Sequence, residues 1–302
     1  LSVGGIAYTA TGSDTDGYNV VNGYVSTAQR TLYLYPGSSP TSASLGSAAQ
    51  FEQVFGTKTS CVTDDYTIVG STADETLDLN VSSRKGSTSA ECFTGGWIID
   101  LKSGADTITS AKVINTDSIN LGSDNDSISL MLGVWNTNVW GVDVGGVTTI
   151  TDANLALLDG GTGIDTIRYD ESTNATGSAI TLSTAGASNF ENIVGSPNAE
   201  TITGDSGANA LAGGNYSDSS TVVDTLNGEA GDDLLLASYN TTGLCNDCVN
   251  TLPVTFNGSS INAASATLNN YHTLSYSSSY YFSSSGAHTF NGGAGDDKIF
   301  GG

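Results

Sequence analysis

The sequence is short of positive charge. Eight Lys and Arg stand against 31 Asp and Glu in 302 residues, a formal net charge of -23. Phosphate backbones are gripped by clustered Lys and Arg, and no cluster exists, so nucleic acid is not an expected partner. Anionic membrane surfaces are disfavoured on the same ground. No run of 18 apolar residues occurs, so no membrane insertion is expected. Proline is scarce, with 4 residues, and the chain is neither collagen-like nor a Pro-rich linker. Helix signals are few, the best being "SLGSAAQFEQVFG", Ser44 to Gly56, with room for two or three turns. Only two histidines occur, His272 and His288, and H-E-x-x-H and G-x-S-x-G are both absent. "GDSG", Gly204 to Gly207, lies inside a repeat and reads as chance, and both histidines read as ordinary surface or turn residues. No enzyme is expected. There is no initiator Met and no basic-then-apolar leader, so Leu1 reads as the start of a processed piece or of a visible part of a longer chain.

What the chain does have is glycine, acid and short apolar clusters. Apolar residues make up 38%, enough to oppose full disorder. They fall in groups of three to six, divided by Gly, Asn, Asp and Ser, which is the pattern of many short strands. An acidic residue, a small polar one and then Ile or Leu recur along the chain. The copies include Glu75-Thr76-Leu77, Asp106-Thr107-Ile108, Asp117-Ser118-Ile119, Asp126-Ser127-Ile128, Asp165-Thr166-Ile167, Glu200-Thr201-Ile202, Asp224-Thr225-Leu226 and Asp297-Lys298-Ile299. Asn209-Ala210-Leu211 is a neutral copy. Several neighbours are nine residues apart, as Ile119 is from Ile128 and Leu226 from Leu235.

A nine-residue period with glycines at its front is a β-helix type of repeat, G-G-x-G-x-D-x-U-x with U apolar. "GGTGIDTIR", Gly160 to Arg168, and "GGAGDDKIF", Gly292 to Phe300, fit at every fixed position. "GEAGDDLLL", Gly228 to Leu236, lacks only the second Gly, and "GDSGANALA", Gly204 to Ala212, lacks the second Gly and the Asp. From about Leu157 to Gly302 the chain resembles the repeats-in-toxin family of secreted, calcium-binding β-rolls. The likeness thins between residues 70 and 130, and no copy is found in Leu1 to Val69.

The expected fold is therefore all-β: a parallel β-roll or β-helix solenoid with long insertions, preceded by a β-rich region of unknown topology. Four segments are expected: a β-rich region over 1–100, degenerate then regular repeats over 101–238, an insertion over 239–289, and a further repeat over 290–302. Gly301-Gly302 looks like the front of another copy, so the chain is expected to continue. The insertion carries Cys245, Cys248 and an aromatic patch, "YHTLSYSSSYYF", Tyr271 to Phe282.

Each repeat has a physical rationale. The central Ile or Leu of its last three residues points inward, and stacked turns build an apolar column. The front glycines supply positive φ without a Cβ clash. Backbone carbonyls and the sixth-position Asp then offer oxygens, and calcium accepts six to eight of them at about 2.3–2.6 Å. The candidate metal residues are Gly160, Gly163, Asp165, Asp126, Asp205, Asp224, Gly228, Gly231, Asp233, Gly292, Gly295 and Asp297. For isolated triples such as Asp106 or Asp117 a solvated turn role is the simpler reading. Same-side turns lie two repeats apart. The Gly204–Asn209 turn should then face Gly228–Asp233, and Gly195–Glu200 should face Gly213–Asp224. If the insertion is only a loop, Gly292–Asp297 should stack on the Asp224 turn.

Four cysteines, an even count, fit disulfides: Cys61 with Cys92, and Cys245 with Cys248 as a tight local ring. The rival readings of "CNDC" are a zinc half-site, which needs a second ligand pair where only the distant His272 and His288 are available, and a redox motif, which would sit at a helix start where no helix pattern follows Cys248.

The resemblance implies export by a type I secretion apparatus and folding outside, where calcium is abundant. The leading expectation is a secreted, calcium-stabilised structural protein of the cell surface, self-associating into sheets or filaments as a surface layer, sheath or filament subunit. The alternatives are an adhesin that grips surface glycans, and the secretion module of a longer enzyme or cytolysin.

Overall fold

A computed structural model describes residues 6–8, 20–21, 23–25, 30–36, 40–45, 54–55, 65–79, 96–111, 117–131, 156–170, 179–182, 187–196, 198–213, 223–236 and 288–300. The described residues are all-β, with short strands set mainly in parallel sheets of the β-roll or β-helix type, as expected. Chain contacts divide the molecule into two units: residues 1–131, 135–146 and 157–163, and residues 132–134, 147–156 and 164–302. The boundary falls inside the Gly160–Arg168 repeat, after Gly163.

The first unit holds β1 (Ile6–Tyr8), β2 (Val20–Val21), β3 (Gly23–Val25), β4 (Thr31–Leu34), β5 (Thr41–Ser44), β6 (Tyr66–Val69), β7 (Glu75–Asp78), β8 (Trp97–Asp100), β9 (Thr107–Ala111), β10 (Ser118–Asn120), β11 (Ser127–Met131) and β12 (Leu158–Asp159). Their orders are β1-β3-β4-β6-β8-β10-β12 and β2-β5-β7-β9-β11. From β4 onward, successive strands go alternately to the two sheets, so the chain winds. Parallel pairing already begins with β4 on β6 and β5 on β7, inside the region whose topology the sequence leaves open. At that end β1, β3 and β4 pair antiparallel, as do β2 and β5.

The second unit holds β13 (Thr166–Asp170), β14 (Ala179–Thr181), β15 (Asn192–Val194), β16 (Thr201–Thr203), β17 (Ala210–Ala212), β18 (Thr225–Asn227), β19 (Leu234–Leu236), β20 (Thr289–Asn291) and β21 (Lys298–Phe300). The orders are β13-β15-β17-β19-β21 and β14-β16-β18-β20, and these strands pair parallel throughout.

Register follows the apolar residue of each triple. Leu32, Ile68, Ile99, Ile119 and Leu158 stand in line in one sheet, and Ala43, Leu77, Ile108 and Ile128 in the other. In the second unit the lines are Ile167, Ile193, Leu211, Leu235 and Ile299, and Ile180, Ile202, Leu226 and Phe290. Most of these side chains are buried, each worth roughly 1.5–3 kcal/mol of transfer energy, and a one-residue slip would turn a whole line outward. Phe290 is half-buried and Ile299 is 45% exposed.

The Ser44–Gly56 helix expectation is met only in part within the described residues. Ser44 ends strand β5, and Val54 and Phe55 are helical and buried. The cysteines 61, 92, 245 and 248, together with Trp135, Trp140, His272 and the Tyr271–Phe282 patch, lie outside the described residues.

Candidate metal centre

The sixth-position acids do not sit out in the turns. Asp106, Asp117, Asp126, Asp165, Asp224 and Asp233 are each at most 3% exposed. Each sits just before an inward Ile or Leu, so the chain carries its carboxylate into the edge of the coil. There, at Asp106, Asp117, Asp126, Asp224 and Asp233, one carboxylate oxygen accepts the backbone N–H of the equivalent residue one coil earlier. The Glu75 amide donates to Asp106 Oδ1 at 2.6 Å, and the Asp106 amide to Asp126 Oδ1 at 2.7 Å. In the second unit the Asn209 amide donates to Asp233 Oδ1 at 2.9 Å and the Asp233 amide to Asp297 Oδ1 at 3.1 Å. On the opposite edge the Glu200 amide donates to Asp224 Oδ1 at 2.9 Å. Asp106 and Asp117 are therefore not solvated turn residues: Asp117 Oδ1 accepts from the Trp97 amide at 2.7 Å. The simpler reading failed because these turns stack, and stacking leaves a coil-edge amide that needs an acceptor.

Two turn pairings fall as the repeat spacing places them, Gly204–Asn209 beside Gly228–Asp233 and Glu200 beside Asp224. The third is corrected. Gly292–Asp297 stacks on Gly228–Asp233, with β21 on β19, and not on the Asp224 turn. The reason is that the insertion returns a strand, β20, which pairs with β18 and takes that place. His288 precedes it in the position of the acid. Its side chain is 2% exposed and its Nδ1 accepts the Asp224 amide at 3.0 Å, so it is a coil-edge residue and not a surface one.

Glu191 is a rung that the repeat pattern left out of the candidate set. Its Oε2 accepts the Asp165 amide at 2.7 Å. Glu191-Asn192-Ile193 has the acid–polar–apolar form, and that signal was available. Asp205 is half-exposed and caps its own turn through the Gly207 amide at 2.7 Å. Gly163, Gly231 and Gly295 have φ of 152°, 124° and 144°, as the front of the repeat requires. In "GEAG" the position of the second glycine is held by Glu229 at φ 75°, where an L side chain is strained.

The second carboxylate oxygens decide what the edge can do. Asp106 Oδ2, Glu200 Oε2 and Asp233 Oδ2 are buried and have no hydrogen-bond partner among the described residues. Burial pushes Asp106 up to about 9 and Glu200 up to about 8, and raises Asp233 as well. Such oxygens call for a proton or a cation. A Cβ on Gly228 would collide with both Asp233 Oδ2 and the Gly292 carbonyl oxygen, so two oxygens of adjacent coils converge in front of that glycine. Gly204 shows the same arrangement with Asn209 Oδ1 and the Gly228 carbonyl. The donors are all oxygens, the set that calcium or magnesium accepts and that thiophilic metals do not favour. Among the described residues no three His, Cys, Asp or Glu side chains group as metal ligands. A cation between two coils would therefore draw much of its shell from carbonyls, as the wide and tolerant coordination of calcium allows. On this test the residues fit a hard cation.

A second, outer set of acids caps the turns. In the first unit Asp74 Oδ1 accepts the Ala105 amide at 2.9 Å and Asp124 Oδ2 the Gly104 amide at 3.2 Å, beside a groove also lined by Thr72 and Asn125. In the second, Asp232 Oδ1 accepts the Asp296 amide at 2.9 Å. Among the described residues no helix is long and apolar enough to cross a membrane.

No protein-family model, curated protein or solved structure matches the chain.

Proposed function

We propose that this chain is a secreted structural protein of the cell surface, a subunit of a surface layer, sheath or filament, whose coils are stabilised by calcium. The observation that carries the reading is the coil-edge row of buried carboxylates: Asp106, Asp126 and Asp233 each place one oxygen on a neighbouring coil's amide, Glu200 places one on the Ser196 hydroxyl of its own turn, and Asp106, Glu200 and Asp233 each have a second oxygen left over. Such a row gives rigidity to a stack and gives little to an acid–base reaction, because its acids point at backbone. Gly228, Gly231, Asp233, Gly292, Gly295 and Asp297 form the best calcium candidate. Asp126, Gly160 and Gly163 in the first unit, and Asp165 in the second, remain separate candidates. Asp224 faces Glu200 on the other edge, and Asp205 supports its neighbour Asp233 by charge alone. A chain at -23 gains from bound cations, since they relieve its self-repulsion.

Electron microscopy of the purified chain with millimolar calcium and with EGTA tests the assembly. Sheets or filaments that dissolve in EGTA are expected. A monodisperse monomer at every calcium concentration overturns the structural reading.

A further inference from the structure

The first parallel coil of the first unit, β4 with β5, has unlike neighbours on its two sides. On one side the pairing is parallel, β4 on β6 and β5 on β7. On the other side it reverses. β3 runs antiparallel to β4, with Val25 opposite Leu32, and β1 runs antiparallel to β3. β2 runs antiparallel to β5, with Val20 opposite Ala43. A strand that runs backwards is not one more turn of the same winding, so the parallel stack stops at this coil.

The core and the carboxylate ladder stop there too. Val25 is 1% exposed beside Leu32 at 0%, so β3 supplies the apolar neighbour that a preceding coil would have supplied. Thr41 stands in register with Glu75, and its hydroxyl donates to the Tyr35 carbonyl at 3.2 Å. It brings a hydroxyl where Asp106 and Asp126 bring carboxylates. Glu75 is occupied within its own turn, where its carboxylate accepts the Ser71 amide at 3.2 Å.

Without β1–β3, the coil would turn one row of unpaired N–H and C=O groups to water, together with Leu32 and Ala43. Such an edge adds a strand from another chain. Its backbone already takes an antiparallel partner in β3. In a two-fold pair of copies the strands that meet at the axis are antiparallel, so β4 of one copy fits β4 of the other and the pair closes on itself.

We propose that the β4/β5 edge is a self-association surface for a second copy of this chain, held shut by β1–β3, and that opening it gives a closed two-fold dimer. The strands that hold it shut are short, with three residues in β1, two in β2 and three in β3. Their shortness guards the outer side of the cap, because a short edge offers little backbone to a further chain. Assembly of the closed chain into a layer or filament therefore runs through other surfaces.

Analytical ultracentrifugation in EGTA tests this apart from any calcium-dependent assembly. The wild-type chain should sediment as a monomer. Removal of residues 1–29 should give a dimer of twice the mass, and so should Tyr24→Pro in the full chain, which interrupts β3. Tyr33→Glu in the shortened chain sets like charges across the β4 pair and should weaken that dimer several-fold. A wild-type dimer, a folded monomer after either change to the cap, or a dimer that Tyr33→Glu leaves as tight as before overturns the proposal. Hydrogen exchange on the wild-type chain decides the case where neither cap variant folds. Protection over 31–34 should match that over 66–69 within about 10-fold, because both strands are paired on two sides. Exchange over 31–34 faster than that in a monomer means that the edge is not held shut, and the proposal fails.

Discussion

In the first unit Phe55, Tyr66 and Trp97 pack against one another, with ring centroids of Phe55 and Tyr66 4.7 Å apart and those of Tyr66 and Trp97 6.3 Å apart. Along β15, β17 and β19 of the second unit the inward side chains in register are Ile193, Leu211 and Leu235. The strands differ to match. β6 and β8 bury alternate residues, Tyr66 with Ile68 and Trp97 with Ile99, and Leu101 follows. Strands of the second unit are mostly three residues long: β16 and β18 bury their central residue, and β15, β17 and β19 are buried along their whole length. Both units carry carboxylates along the coil edge; near-intact nonapeptides run through the second, while in the first the glycine front of the repeat appears at its end, in Gly160 to Gly163. Aromatic packing in the first unit goes with a degenerate turn motif, and the shorter strands of the second go with a more regular one.

The largest expected effect comes from removing the widest core residue. Trp97→Ala should destabilise the first unit by about 3–5 kcal/mol in denaturant unfolding, and calcium should not restore it. Full recovery in calcium would break the contrast between the units. Next comes pH, in EGTA. The carboxyls of Asp106 and Glu200 are held up to about 9 and about 8 by burial, above their unfolded values, so the folded chain binds more protons than the unfolded one. Stability is then full at pH values below the unfolded carboxylate range and is lost as pH rises through 8 to 9. Thermal melts in EGTA should fall from pH 5 to pH 9, and a rise over that interval would contradict the buried ladder. The smallest effect is at Glu229, an L residue at φ 75° in the place of a repeat glycine. Glu229→Gly should stabilise the second unit by about 0.5–1 kcal/mol, read from the same melts. A loss would mean that the side chain does more than fill a strained position.

The line of inward Ile and Leu was legible in the sequence because a nine-residue half-coil repeats it. The 18-residue separation of Glu191 and Asn209 is two such units. In the first unit the rungs are 31 and 20 residues apart, so the same winding leaves no fixed period to find. The coil-edge chemistry was half legible. Acid before apolar was visible at Asp106 and Asp117, but their burial follows from a stacked amide that only the fold brings near. His288 was out of reach for the same reason: nothing links it to Asp224 across 64 residues except the pairing of β20 with β18. Position six of the repeat asks for an acceptor, and an imidazole can serve where a carboxylate is usual.

The central claim is that the orphaned coil-edge oxygens hold calcium. Its most direct measurement is thermal unfolding of the chain, followed by circular dichroism, in EGTA and in calcium at about 100 times its dissociation constant. The account predicts a higher melting temperature in calcium, worth about 2.7 kcal/mol per site, and a smaller gain in Asp233→Asn. The same β signal and the same melting temperature in both conditions would contradict it.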